Sequence, residues 1–276
     1  MKDLIEKYNF NFKKKFGQNF LKDKNILENI ALKSDIDKDT LVIEIGVGAA
    51  ALTNVTCNYA KNVIGYEIDE TLKPIINEVL GDKDNVEIIF TDFLKRSVKE
   101  DIKKYEYKKL YVVANLPYYI STPIIMKLLE NRLDIDEIIV MVQKEVAERL
   151  TAKTGTRLAG AITYAVEYYS DATSIIKVPK ESFVPSPKVE SEVIKLKVRK
   201  DKKIQVKDEK LLFNIISKSF MQRRKTLSNA LLNNNIMHSK EDVKNMWIEL
   251  GIDENVRGES LTLEQFGKIT DYIAMQ

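Results

Sequence analysis

Leu41-Val42-Ile43-Glu44-Ile45-Gly46-Val47-Gly48-Ala49-Ala50-Ala51-Leu52-Thr53 is the stretch that decides the fold. A run of apolar residues, three of them β-branched and broken only by Glu44, leads into two glycines and then into a helical pattern, which reads as a buried strand, a tight loop and a helix start. Glycine at 46 and 48 lets the backbone approach a ligand without steric cost. The third glycine of a G-x-G-x-x-G dinucleotide fingerprint is missing, with Ala51 in its place. A second strand, Asn62 to Ile68, carries Glu67, which falls 21 residues after Gly46, where a carboxylate accepts hydrogen bonds from a ribose diol. At this point the pair fits a nicotinamide dinucleotide or S-adenosylmethionine equally well.

Outward from this unit the same alternation continues. Strands are predicted at Val86 to Phe90, Leu110 to Ala114 and Glu137 to Val142. Helices are predicted at Asp23 to Lys33, Ala51 to Ala60, Glu70 to Leu80, Thr122 to Asn131 and Lys144 to Thr151. This is the pattern of a doubly wound, mainly parallel sheet. Ala161 to Tyr169 reads as helix. Two strands, Thr173 to Val178 and Val189 to Val198, are expected to form an antiparallel hairpin at the far edge, joined through Phe183-Val184-Pro185-Ser186-Pro187. Past about Asp201 strand alternation stops, and helices are predicted at Lys210 to Met221, Arg224 to Asn233, Lys240 to Leu250 and Leu263 to Ala274. The expected organisation is an α/β Rossmann-like catalytic domain over 1–200, with a lid-like segment over 1–39, and a small all-helical domain over 201–276.

Two further positions choose the ligand. Asp92 follows the third strand and is placed to accept from an adenine amino group. The fourth strand runs into Asn115-Leu116-Pro117-Tyr118, at the carboxyl end of a strand, where open α/β sheets bind ligands. An Asn oxygen and the Leu116 carbonyl, held by Pro117, accept from the two hydrogens of an exocyclic amine while the Tyr118 ring stacks on its base. Methyl transfer to an amine needs positioning above all, and no Lys or His constellation suited to hydride transfer is present. S-adenosylmethionine is therefore the expected cofactor.

Composition excludes other chemistries. With 44% hydrophobic residues in 276, the chain can bury a large core. One cysteine, Cys57, rules out an intramolecular disulfide; one histidine, His238, provides no cluster for zinc or a Cys/His dyad, so no metal is expected. Cys57 reads as a small buried hydrophobe and His238 as an ordinary helix-end residue. No apolar run approaches about 18 residues, and residues 1–15 lack the apolar core of a secretory signal, so a soluble, cytoplasmic monomer away from membranes is expected. The net charge is only +3, yet Lys195 to Lys225 holds twelve basic residues against three acids, and Lys13-Lys14-Lys15 adds a second patch. Such clusters neutralise nucleic-acid phosphates.

These residues resemble the ribosomal RNA adenine N6,N6-dimethyltransferases of the small-subunit (16S) type. Phe16-Gly17-Gln18-Asn19-Phe20-Leu21 is similar to the family's Q-N-F-L, Glu44 to Thr53 to its E-I-G-x-G segment, Asn115 to Tyr118 to N-L-P-Y, Phe183 to Val189 to F-x-P-x-P-K-V, and Gln222 to Leu227 to Q-R-R-K-T-L. The resemblance implies cofactor contacts at Asn19, Leu21, Gly46, Glu67, Asp92 and Asn115, and catalytic roles for Asn115, Leu116, Pro117 and Tyr118. It implies RNA contacts at Arg223, Arg224 and Lys225, with 16S rRNA in the small ribosomal subunit as partner. Related 23S enzymes of the macrolide-resistance type share the first four motifs and generally lack the last. A ribosome-assembly factor that keeps the fold with little catalysis is the alternative of a different class. The chain departs from the usual family pattern at Val47 and Ala50, where Pro and Gly are common, and at Ala159, where an aromatic is common.

Overall fold

The computed structural model describes residues 2–13, 16–81, 83–130 and 133–276. Lys14, Lys15 and Asn131, all named above, lie outside these. The strands are β1 (Phe20–Leu21), β2 (Thr40–Ile45), β3 (Asn62–Glu67), β4 (Val86–Phe90), β5 (Lys109–Asn115), β6 (Glu137–Gln143), β7 (Ser170–Val178), β8 (Phe183–Val184) and β9 (Ser191–Val198). Seven of them form one sheet in the order β4-β3-β2-β5-β6-β9-β7. β2 pairs in parallel with β3 and β5, β3 with β4 and β5 with β6, while β9 runs antiparallel to β6.

This order places the functional motifs. The chain leaves β2 towards β3 and β4 on one side, then returns through β5 and β6 on the other. The strand order therefore reverses between β2 and β5, and a crevice opens at their carboxyl ends. Gly46 follows one of these strands and Asn115 ends the other. A Cβ built on Gly46 would lie 3.6 Å from the Asn115 carbonyl oxygen and 3.5 Å from the Pro117 ring. The β-branched runs of β2, β5 and β6 are almost wholly buried, as expected of parallel strands covered on both faces.

Local sequence sets the helix boundaries. Asp23 caps Lys24–Lys33 by accepting from the Asn25 and Ile26 amides, and Pro74 sits in the first turn of Lys73–Leu80, where its missing N–H costs nothing. One face of the sheet unit buries Leu27, Ile30, Cys57, Val42, Val63, Val113 and Ile139 together. Cys57 is a free thiol in this core. A second cluster joins Leu72, Ile75, Ile76 and Leu80 to Val47, Ala49 and Phe20, with Leu4, Ile5, Phe10 and Phe12 packed against it. The N-terminal residues are thus tied to the sheet unit by a cluster of three Phe rings.

The expected strands and long helices are present within a few residues of their predicted ends. Three features were not legible: a first helix at Lys2–Lys7, a short helix at Val98–Ile102, and the two-residue pairing of β1 with β8. The Arg224 to Asn233 helix needs correction. It begins at Leu227, because Thr226 accepts from the Asn229 amide as N-cap while Lys225 closes a turn onto the Gln222 carbonyl.

Two compact units result: residues 1–147 with 172–198, and residues 148–171 with 199–276. The expected boundary near 200 thus gives way to one that hands 148–171 to the helical unit. Tyr164 explains the difference: from helix Ala161–Tyr169 its hydroxyl donates to the Leu261 carbonyl at 2.6 Å, and its ring packs on Phe220 and Phe266. Helices Glu209–Met221, Lys240–Leu250 and Leu263–Ile273 complete this unit, each with a capping Asp, Ser or Thr. No helix among the described residues is long and apolar enough to cross a membrane.

Candidate active site and cofactor pocket

The glycine loop is shaped by positive backbone angles: φ is +78° at Gly46, +58° at Gly48 and +59° at Ala50. Gly46 and Val47 both donate to the Tyr66 carbonyl, so the loop folds back over the end of β3. Glu67 ends that strand and is 5% exposed. Its Oε2 accepts from the Gly48 amide and its Oε1 from the Asp69 amide, both at 2.8 Å. Burial raises its pKa against those backbone donors. The carboxylate is fixed by two main-chain groups, with its remaining lone pairs available to a diol.

Glu44, which the sequence reading did not single out, lines the same cleft. It is 1% exposed, its Oε2 has no hydrogen-bond partner, and burial, with a smaller push from Glu67, raises its carboxyl to about 8. Thr53 lies against the carboxyl and offsets part of the burial, and the unpartnered oxygen beside the glycine loop fits a site that receives a polar group. Its only sequence signal is an acid near the end of a strand that precedes G-x-G.

Asp92 opens the loop after β4, where it accepts from the Leu94 amide at 3.0 Å. The loop is held from outside by Lys127, whose ammonium donates to the carbonyls of Phe93 and Leu94 at 2.7 Å and of Arg96 at 3.0 Å. Burial lowers the Lys127 pKa. Lys127 was also missed, since a lone lysine on an amphipathic helix carries no distinguishing pattern.

Asn115 donates its side-chain NH2 to the Asn19 carbonyl at 3.1 Å, and Asn19 in turn donates to the Gly17 carbonyl at 3.1 Å. With the amide's donor end engaged, its acceptor end is left available in the cleft. Leu116 is buried and its amide donates to Met141 of β6. Pro117 accepts from the Ile120 amide, closing the turn before helix Ser121–Glu130. The Tyr118 hydroxyl bonds Ser191 Oγ at 2.6 Å, which sets the ring's direction, and burial raises its pKa. Leu21 pairs with Phe183 across β1 and β8, and the Lys22 amide donates to the Ser182 carbonyl. Asn19, Leu21, Gly46, Glu67, Asp92, Asn115, Leu116, Pro117 and Tyr118 all line this one cleft.

The basic segment behaves differently. Arg223 donates from Nε to Glu259 at 3.0 Å and from its terminal nitrogen to the carbonyls of Arg157 and Ala159 at 3.1 and 3.4 Å. This expected phosphate ligand is occupied inside its own unit, where it ties down the loop containing Ala159. Arg224 and Lys225 are exposed and precede the Leu227–Asn233 helix. Elsewhere in the basic run, Arg199 pairs with Asp171, Lys202 with Glu209 and Lys203 with Glu167. The surplus read from sequence is thus partly consumed by internal ion pairs. Among the described residues no group of three or more His, Cys, Asp or Glu is placed to hold a metal.

Comparison with known proteins adds to this geometry. The family pattern described as ribosomal RNA adenine dimethylase matches residues 9–275. The ribosomal RNA small subunit methyltransferase A of Lachnoclostridium phytofermentans is 47% identical over 98% of this chain and 94% of its own length. That of Oceanobacillus iheyensis is 44% identical over 98% and 93%. Among solved structures, a dimethyladenosine transferase from Plasmodium falciparum superposes with a TM-score of 0.75 at 26% identity, covering 91% of this chain and 95% of that one. The 23S rRNA methyltransferase ErmE shares the fold, with a TM-score of 0.68 at 22% identity over 93% of this chain and all of that one. Full-length identity at this level, with the glycine loop, Glu67 and the Asn115 motif in one cleft, shows that the chain belongs to the ribosomal RNA adenine dimethylase family of S-adenosylmethionine-dependent methyltransferases.

Proposed function

We propose that the chain dimethylates N6 of two adjacent adenosines in a hairpin loop near the 3' end of 16S rRNA, within the small ribosomal subunit or its precursor. The observation that carries this is the Asn115 amide, held by Asn19 with its acceptor end free, beside a Tyr118 ring anchored by Ser191. Asn19, Leu21, Gly46, Glu67, Asp92 and Asn115 would hold the cofactor, with Glu67 on the ribose and Asp92 on the adenine. The cofactor supplies an electrophilic methyl on sulfur.

The lone pair of an adenine N6 is delocalised into the ring. Hydrogen bonds from its N–H groups to Asn115 Oδ1 and the Leu116 carbonyl draw the nitrogen towards tetrahedral geometry and localise that pair. The nitrogen so presented would take the methyl that bound S-adenosylmethionine would supply, and its N6 proton would leave to solvent. No side-chain base is required. Tyr118 holds the unstacked base by its ring face, an interaction worth roughly 1–3 kcal/mol on comparable platforms. The target adenines must be unpaired, because an A-form groove hides their Watson–Crick edge. Arg224 and Lys225 serve as phosphate ligands of a helical RNA-binding domain. The Gln222 to Leu227 segment favours the small subunit over the large one.

Methyl transfer from labelled S-adenosylmethionine to small subunits lacking adenine dimethylation, with large subunits in parallel, tests the reading. Dimethyladenosine in the small subunit alone is expected. Product only in the large subunit would move the chain to the resistance-type branch, and cofactor and subunit binding without product would favour an assembly factor.

A further inference from the structure

Asp69 stands two residues beyond Glu67 and is 2% exposed. Its backbone N–H holds Glu67 Oε1 at 2.8 Å. Its carboxylate faces the other way, onto the N-terminal segment. Oδ1 accepts from the Lys13 ammonium at 2.6 Å, and Oδ2 accepts from the Gln18 side-chain amide at 2.8 Å. Gln18 in turn accepts from the Lys13 backbone amide at 2.8 Å, so residues 13 and 18 are drawn together over one buried acid. The far end of the segment is fastened separately, by the pairing of β1 with β8. Between the two fastenings Phe16, Gly17, Gln18 and Asn19 form part of the cleft wall, and Asn19 carries the carbonyl that orients Asn115.

Asp69 also caps the short turn Glu70–Leu72 through the Thr71 amide and hydroxyl. Capping needs one acceptor oxygen and does not call for Gln18 on the other. The lysine and glutamine bonds bridge more than fifty positions of sequence, and a buried carboxylate that receives them is a strong, directional anchor. Burial alone would raise its pKa, but the bonds from Lys13, Thr71 and Gln18 outweigh burial and hold it below the usual carboxylate value.

We propose that Asp69 is a positioning residue that latches Lys13 and residues 16–19 across the cofactor pocket and sets the ribose carboxylate of Glu67 in the same act. The inference rests on the reading of this cleft as the S-adenosylmethionine site. A bound cofactor is then enclosed by a segment that must be released for exchange, so the latch acts on the dissociation rate. Asn19 reaches Asn115 only while that segment is down, which links cofactor retention to the orientation of the methyl-acceptor site.

The test is calorimetric and stopped-flow binding of S-adenosylhomocysteine to the full chain and to the Asp69→Asn, Lys13→Met and doubly substituted proteins, with amide exchange followed over 16–20. Each single change is expected to weaken binding about tenfold, mainly through faster dissociation, and to speed exchange in that segment. The double change should cost less than the sum of the two single ones, because both remove the Lys13–Asp69 bond while Asp69→Asn alone also loosens Gln18 and Thr71. Lys13 is one-third exposed, so its variant keeps the fold if Asp69→Asn does not. Unchanged dissociation and exchange in folded variants would overturn the latch and leave Asp69 as a turn cap. Failure of the parent chain to bind S-adenosylhomocysteine would overturn the cofactor-site reading, and the latch with it.

Discussion

The cofactor pocket and the basic segment of the helical unit were both conspicuous in the sequence, yet the fold treats them in opposite ways. In the pocket, motif residues separated by almost a hundred positions converge, and main-chain groups hold them: Glu67 by two amides, Asn115 by a carbonyl. In the basic segment, adjacent residues diverge. Arg223 is held by Glu259 and two carbonyls although its side chain stays 42% exposed, while Arg224 and Lys225 are exposed side chains that extend from the same turn. A motif built from backbone geometry survives folding as a site, whereas a run of like charges is divided between structure and surface.

Glu67→Ala should produce the largest departure on the pocket side. It removes a doubly held charged acceptor, and hydrogen bonds to such groups contribute about 1.5–3 kcal/mol. Cofactor affinity measured by calorimetry should fall roughly tenfold to a hundredfold. A loss of RNA affinity instead would erase the distinction between the two regions.

Glu44→Gln sharpens the pocket's electrostatics. Glu44 titrates near 8 in the fold against 4.5 as its ordinary value. Its contribution is therefore complete below about 4.5 and is lost as the pH rises through about 8. The parent should lose stability from neutral to pH 9 more steeply than Glu44→Gln, by about 1.4 kcal/mol. Parallel melting profiles across that range would contradict a buried, protonated Glu44.

Arg223→Ala should lower stability by about 0.5–1 kcal/mol, since it releases a partly exposed ion pair with Glu259 and two carbonyl contacts. Alanine at Arg224 and Lys225 should leave the melting temperature unchanged and reduce the salt dependence of RNA binding by about one unit for each phosphate no longer neutralised. If all three variants behave alike, the division of this segment is wrong. The smallest effect is expected at Ala50→Gly. Relief of a left-handed alanine, about 1 kcal/mol, is offset by the loss of a buried methyl of about 0.8 kcal/mol, so denaturation should shift by less than about 1 kcal/mol.

What was legible follows from periodicity and spacing. The parallel strands announce themselves as β-branched runs, and Gly46, Glu67, Asp92 and Asn115 each follow or end one of them, so the sheet delivers them to one edge. The misses have a common cause in long-range interactions. β1 and β8 are two residues each and exist only by pairing with one another. Lys127 gains its role from three carbonyls of a distant loop. The 148–171 segment joins the helical unit because the Tyr164 hydroxyl finds the Leu261 carbonyl, and no local pattern reports such a bond.

The most direct test of the account is Asn115→Ala, assayed for methyl transfer to small subunits and for cofactor binding in one preparation. A loss of turnover of about a hundredfold or more, with cofactor affinity within about threefold of the parent, is the outcome expected if the amide acts chiefly on the attacking amine. Equal losses in turnover and cofactor affinity would contradict it and make Asn115 a cofactor-binding residue alone.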